Sequence, residues 1–251
     1  MSTPSFTAAA LRPLSVGEIL DRAFALYRGH FAPFLATALA FYAPLGALQF
    51  AAATGAADGM MALVAPFAWL GCTALLLGAL TTQAGRAYMG APATTGEAVG
   101  AAFRRIVALV VVFVLTVVGI FLGLFGLLIG AALVWVLLFA AVPVVALEGK
   151  GPFTALRRST ELAEGDWMRI FGVLFVALVI AALPEMALQA VVGMAGEGMD
   201  ARAVASAQAL STVLEAITYP FSVAATVILY YDRRVRAEGL DLQLLEAAIS
   251  A

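Results

Sequence analysis

The sequence is poor in the groups on which soluble folds and most enzymes depend. It has one histidine, His30, one cysteine, Cys72, and one lysine, Lys150, and charged residues fill only 12% of its 251 positions. One His and one Cys cannot assemble a His/Cys zinc site, and there is no glycine-rich phosphate loop followed by lysine. No metal or cofactor is expected, no nucleic-acid partner, and no enzymatic activity. A lone thiol in an apolar run forms no internal disulfide and gives no sign of the redox compartment. Also missing is an apolar core in the opening segment, which carries Arg12 and Pro13. No cleavable signal peptide is therefore expected.

What the chain has instead is hydrophobic length. Apolar residues make up 63% of it and the mean hydropathy is +1.01, outside the range of soluble domains. The reading is an all-α integral membrane protein, a single membrane domain over 1–251. A spanning helix needs roughly 20 apolar residues. Stretches of that length run from Phe31 to Thr54, Met60 to Gly85, Trp167 to Val192 and Val204 to Tyr231. Ile106 to Leu147 is one continuous apolar run, about twice the length of a crossing, and it divides near Gly123, Gly126 and Gly130. Six transmembrane helices in three hairpins follow. Gly55 to Gly59 and Gly193 to Asp200, both glycine-rich and acidic, supply two of the outer turns.

Of the 14 basic residues, only Arg202 falls in an outer turn. Arg12, Arg22 and Arg28 precede the first span, Arg86, Arg104 and Arg105 lie between the second and third, and Lys150, Arg157, Arg158 and Arg169 adjoin the fourth and fifth. Arg233, Arg234 and Arg236 follow the sixth. This bias places these segments and both termini in the cytoplasm, and the setting is a bacterial inner membrane.

Each cytoplasmic segment also contains a short amphipathic helix that leads into a hairpin. Ile19, Leu20, Ala23, Phe24 and Tyr27 fall at helical spacing, suited to a helix lying in the headgroup plane. Ser15 with Glu18, and Thr94 with Glu97, form capping boxes. Gly96, Glu97 and Phe103 reproduce Gly17, Glu18 and Phe24 at one constant offset. Leu156, Arg158, Gly165 and Trp167 reproduce Leu20, Arg22, Gly29 and Phe31 at a second constant offset. Pro152 suits the first turn of the third such helix, and Gly29 and Gly165 suit helix ends. Three parallel units are expected, over 14–85, 94–147 and 152–231, followed by a cytoplasmic tail over 232–251.

Three passages carry a family resemblance. They are Arg12 to Arg22 (RPLSVGEILDR), Ala155 to Ser159 continuing through Gly165-Asp166-Trp167, and Tyr230 to Leu242 (YYDRRVRAEGLDL). Together they resemble the bacterial family named for the glycerophosphoryl diester phosphodiesterase membrane domain, over nearly the whole chain. The resemblance implies a multi-spanning protein without a catalytic domain, ending in a short acidic helix. It does not carry diesterase activity over, because that chemistry needs a soluble barrel with clustered His, Glu and Asp.

Two acids stand out within the apolar spans. Glu185 in the fifth span and Glu215 in the sixth are costly in hydrocarbon, and each has a proline nearby, Pro184 and Pro220. With Gln189 and Tyr219 they form a candidate intramembrane polar site, either a water-accessible cavity for a proton, cation or amphiphile headgroup, or a set of interhelical hydrogen bonds. Arg104, Arg105, Arg157 and Arg158 are candidate contacts for anionic lipid, at about 1 kcal/mol each, or markers of topology. His30, at the junction of surface helix and first span, suits interfacial hydrogen bonding rather than catalysis. The functional expectation is a non-enzymatic membrane scaffold or accessory subunit contacting lipids and a protein partner or further copies of itself. The alternative is a transporter or binding protein for a small amphiphile, lipid or cation that uses the two acids.

Overall fold

The computed structural model describes residues 12–53, 59–195 and 201–249, and among them there is no strand. The helices are α1 (Val16–Gly29), α2 (Phe31–Ala53), α3 (Gly59–Tyr88), α4 (Thr95–Arg104), α5 (Ile106–Gly123) and α6 (Leu127–Leu137). They continue as α7 (Ala141–Pro143), α8 (Pro152–Ala163), α9 (Trp167–Ala195), α10 (Ala201–Glu238) and α11 (Leu240–Ile249). Five segments are long and apolar enough to cross a membrane: Phe31–Leu48, Val64–Tyr88, Ile106–Glu148, Trp167–Met194 and Arg202–Glu238. The two turns expected at 55–59 and 193–200 fall largely on residues outside the described ones.

The third of these segments, at 43 residues, does not run straight. A 3₁₀ turn over Leu124–Gly126 separates α5 from α6, and the two helices pack antiparallel. Gly119 faces Val134, and Gly123 lies against the backbone of Gly130, where an added Cβ would come within 2.8 Å of a carbonyl. Small residues permit this approach. Leu127, just past the turn, has φ 61° with an extended ψ, a conformation that strains any residue but glycine.

The long helix α10, of 38 residues or about 57 Å, is the axis of the bundle. It packs against α1, α2, α3 and α9. From Val223 to Tyr230 only Thr226 is not buried, so this stretch is enclosed on every face. A helix apolar all round belongs in such a position.

The three short amphipathic helices α1, α4 and α8 form where the sequence places them. The Ser15 and Thr94 capping boxes are both closed, and Pro152 opens α8. Their buried positions share one register: Ile19 and Ala23 in α1, Ala98 and Ala102 in α4, and Ala155 and Ser159 in α8. These pairs are related by the same two offsets that relate the sequence motifs. The junctions differ in detail. His30, with negative φ, and not Gly29, caps α1, whereas Gly165 adopts φ +83° between α8 and α9. The His30 ring nitrogen Nδ1 lies 3.2 Å from the Leu26 carbonyl, within hydrogen-bond distance.

Ser159 is fully buried and has a particular task. Between α6 and α7 the helical hydrogen bonding breaks, and Ser159 Oγ accepts from Ala140 N at 2.9 Å while donating to the Leu137 carbonyl at 2.8 Å. The break continues into a wide π-turn over Val144–Glu148 that closes on Gly149 at φ +74°. Arg105 donates to the Val145 and Ala146 carbonyls at 2.5 and 2.6 Å, supplying donors that the turn lacks.

At this arginine-rich end the three passages of the family resemblance meet. The Asp232 side chain is wholly covered and accepts from Leu14 N at 2.7 Å, Arg169 at 3.0 Å and Arg236 at 3.1 Å. Arg233, also buried, donates to the carbonyls of Leu162 and Glu164 at 2.7 and 2.9 Å and to the Asp166 carboxylate. Arg158 joins Glu148 and Glu238, each at 2.7 Å, and Glu148 also accepts from Tyr230 at 2.7 Å. From sequence, the sixth span ends at Tyr231, and Arg233 and Arg236 mark sidedness in a tail. The helix α10 itself continues past Tyr231 to Glu238, and its charges there pair with neighbouring segments.

Candidate ligand cavity

α10 places Ser211, Glu215, Thr218 and Ser222 on one face by the i, i+4, i+7 rule. Opposite this face, α9 brings Leu178 and Glu185, α2 brings Tyr42, α3 brings Trp69 and Thr73, and α5 brings Phe113. These side chains, with Tyr219, surround a cavity of about 500 Å³. Among the described residues, its only charged lining groups are Glu185 and Glu215. Counted along the helices, Glu185 lies about five turns beyond Trp167 and Glu215 about five turns before Arg233. Both acids are therefore about 27 Å from the charged end, at matching depth.

Glu185 is only half satisfied. Its Oε1 accepts from Ser211 Oγ at 2.5 Å and from Gln189 Nε2 at 2.7 Å, while Oε2 is buried with no partner. Glu215 lines the same cavity and is itself exposed. Of the four residues singled out in the sequence, Glu185, Glu215 and Tyr219 line the cavity together. Gln189 does not, and anchors Glu185 from one turn away.

A second chamber of about 270 Å³ adjoins the first and shares Phe113, Leu178, Tyr219 and Ser222 with it. Its walls are mostly apolar, with Leu77, Val117, Ile120, Trp135 and Phe139 among them, and it reaches toward the charged end. The threonine Thr116 in this chamber has a buried hydroxyl without a hydrogen-bond partner.

The walls of the polar chamber come largely from helices that contain an internal proline: Pro44 in α2, Pro66 in α3, Pro184 in α9 and Pro220 in α10. Each removes one backbone donor and loosens the helix locally. In the turn before Pro220, Tyr27 donates to the Ile217 carbonyl at 2.5 Å. Sequence reasoning singles out two of these prolines and passes over Pro44 and Pro66. It also misses Tyr42, Trp69, Thr73, Phe113 and Ser211, for which those prolines are the available signal.

The four candidate lipid-contacting arginines separate into two pairs. Arg105 and Arg158 are committed to the Val145–Ala146 carbonyls and to Glu148 and Glu238. Arg104 is exposed, and Arg157 is 76% exposed with only a surface pair to Glu161 at 3.4 Å. Beside them Phe103 and Phe153 are exposed, at 53% and 73%. On α1, Arg28 lies over the exposed ring of Phe24, 5.9 Å from its centroid.

In the surface helices Glu18 is held at a pKa of about 2, first by the Arg12 guanidinium and next by the Ser15 backbone amide. Glu97 is likewise held low, first by the Thr94 amide and next by Arg86. The capping carboxylates are thus ionised at neutral pH.

No protein family, curated protein or solved structure matches this chain.

Proposed function

We propose that the protein crosses a bacterial inner membrane six times, as three hairpins with both termini cytoplasmic, and holds a small membrane-soluble amphiphile in the two-chamber cavity. A binding or transport role is proposed rather than catalysis, and the family resemblance is kept as part of the same proposal. Six crossings are reached by counting the Ile106–Glu148 segment twice, since α5 and α6 lie antiparallel about Gly123 and Gly130. The observation that carries the functional reading is that Glu185 and Glu215 line one cavity, which continues into an apolar chamber. A set of purely structural hydrogen bonds would leave neither a buried unpaired oxygen nor about 500 Å³ of space beside it.

The scaffold reading keeps separate support in the outward faces of the surface helices. Exposed Phe24, Phe103 and Phe153 beside Arg28, Arg104 and Arg157 suit an interface rich in anionic headgroups. Native mass spectrometry of protein released from lipid nanodiscs tests the cavity. One retained amphiphile per chain is expected for the wild type, and loss of it for Ser222→Trp, which fills the wall between the chambers. Equal retention by the variant would place bound lipid on the surface helices and remove the cavity from the proposal.

A further inference from the structure

The lining of the cavity specifies the charge of what it takes. We infer that the ligand is a single-chain amphiphile with a protonated amine headgroup, its ammonium seated between Glu185 and Glu215 and its chain directed toward Trp135; this rests on the cavity being a ligand site.

Four observations converge on an ammonium group. The only charges lining the polar chamber among the described residues are two carboxylates, with no Arg, Lys or His in the lining to balance them. Glu185 Oε2 is covered and lacks a donor, so no protein group offsets the charge of that carboxylate as an ammonium in the adjoining cavity would. Aromatic rings complete the walls: Tyr42 and Tyr219 meet edge to face at 6.3 Å and 88°, and Trp69 lies 6.4 Å from Phe113. Aromatic faces attract a desolvated cation through their quadrupole and offer nothing to an anion. Finally, Ser211 and Gln189 both donate to Oε1, which fixes the Glu185 carboxyl at the cavity wall.

The same lining excludes the commonest alternative. A phosphate or sulfate headgroup would sit beside two carboxylates without a compensating cation, and a buried like-charge contact is strongly unfavourable. The adjoining chamber then accounts for the tail. Its walls of Leu77, Phe113, Val117, Ile120, Trp135 and Leu174 suit hydrocarbon.

The three tryptophans make the inference measurable, because Trp69 lines the polar chamber, Trp135 lines the apolar one and Trp167 is 49% exposed near the charged end. In nanodiscs, full-length protein carrying Trp69→Phe and Trp167→Phe reports on Trp135 alone. Three probes share one twelve-carbon chain brominated near its end and differ in headgroup: primary ammonium, sulfate and maltoside. The ammonium probe is expected to quench Trp135 saturably, about tenfold more tightly than the sulfate. Glu215→Gln and Glu185→Gln are each expected to weaken the ammonium probe about tenfold and the neutral maltoside probe far less, and an unchanged helical circular-dichroism spectrum shows that the variants are folded. Equal quenching by all three headgroups, insensitive to both substitutions, would overturn the inference and leave an unselective amphiphile cavity standing. Saturable quenching by none of them would remove both readings.

Discussion

The two ends of the bundle treat buried charge in opposite ways. At the arginine-rich end, Asp232, Asp166, Glu148 and Glu238 all meet arginine, and Asp232 in addition accepts from the backbone amide of Leu14, near the other end of the chain. Toward the other end, Glu185 and exposed Glu215 line a cavity whose described walls contain no cation, and Glu185 Oε2 is covered without a partner. Desolvating a carboxylate costs several kcal/mol in either place. Where pairing offsets that cost the helices lock together, and where it does not the prolines Pro44, Pro66, Pro184 and Pro220 interrupt the helices around open space. The contrast separates a foundation from the proposed ligand site within one fold.

The largest expected effect lies in the foundation. Asp232→Ala leaves Arg169 and Arg236 without their shared carboxylate and the Leu14 amide without its acceptor, an expected loss of about 3–5 kcal/mol. Thermal unfolding in detergent reads it, and a loss below about 1 kcal/mol would mean that these ions do not lock the bundle. Removing a cavity acid should do the reverse. Glu185→Leu replaces a half-satisfied carboxylate with an apolar side chain, so a neutral or positive change in unfolding midpoint is expected in the absence of ligand. A drop comparable to that of Asp232→Ala would erase the distinction between the two ends.

Between those extremes lies the α5–α6 turn. Gly130→Ala drives a methyl group into the Gly123 carbonyl, with an expected loss of about 1–3 kcal/mol, whereas Leu127→Gly relieves the positive φ and should gain about 1 kcal/mol. The smallest effect concerns pH. Glu18 has its pKa depressed to about 2 in the folded chain against roughly 4.3 unfolded, so its contribution to the start of α1 is complete above the higher value and is lost as pH falls through the lower. The difference in midpoint between wild type and Glu18→Gln should therefore shrink steadily as pH is lowered from about 5 toward 2. A difference independent of pH would show that the Arg12 and Ser15 contacts do not bind the charged form.

What can be read from the sequence is local or compositional. Capping boxes at Ser15 and Thr94 involve side chains one helical turn apart, so their chemistry is visible without a fold. The division of the long apolar run follows from its length and its glycines, and Gly123 against Gly130 gives that division its physical reason. Glu185 and Glu215 are conspicuous because an acid in an apolar run is rare. Their surroundings are not, since Tyr42, Trp69 and Phe113 are ordinary residues in such runs and acquire meaning only when three other helices bring them together. The arginines are only partly legible for the same reason. The gathering of positive charge in a few segments is visible in the sequence, but pairings such as Arg158 with Glu238 and Arg169 with Asp232 depend on contacts between segments far apart in the chain.

The most direct test of the cavity as a ligand site is an electron-microscopy structure of the protein in nanodiscs of its native lipid. The expected result is an elongated density with its polar end between Glu185 and Glu215 and its tail beside Trp135. A cavity closed by its own side chains, with Glu185 Oε2 satisfied by a protein donor, would contradict it.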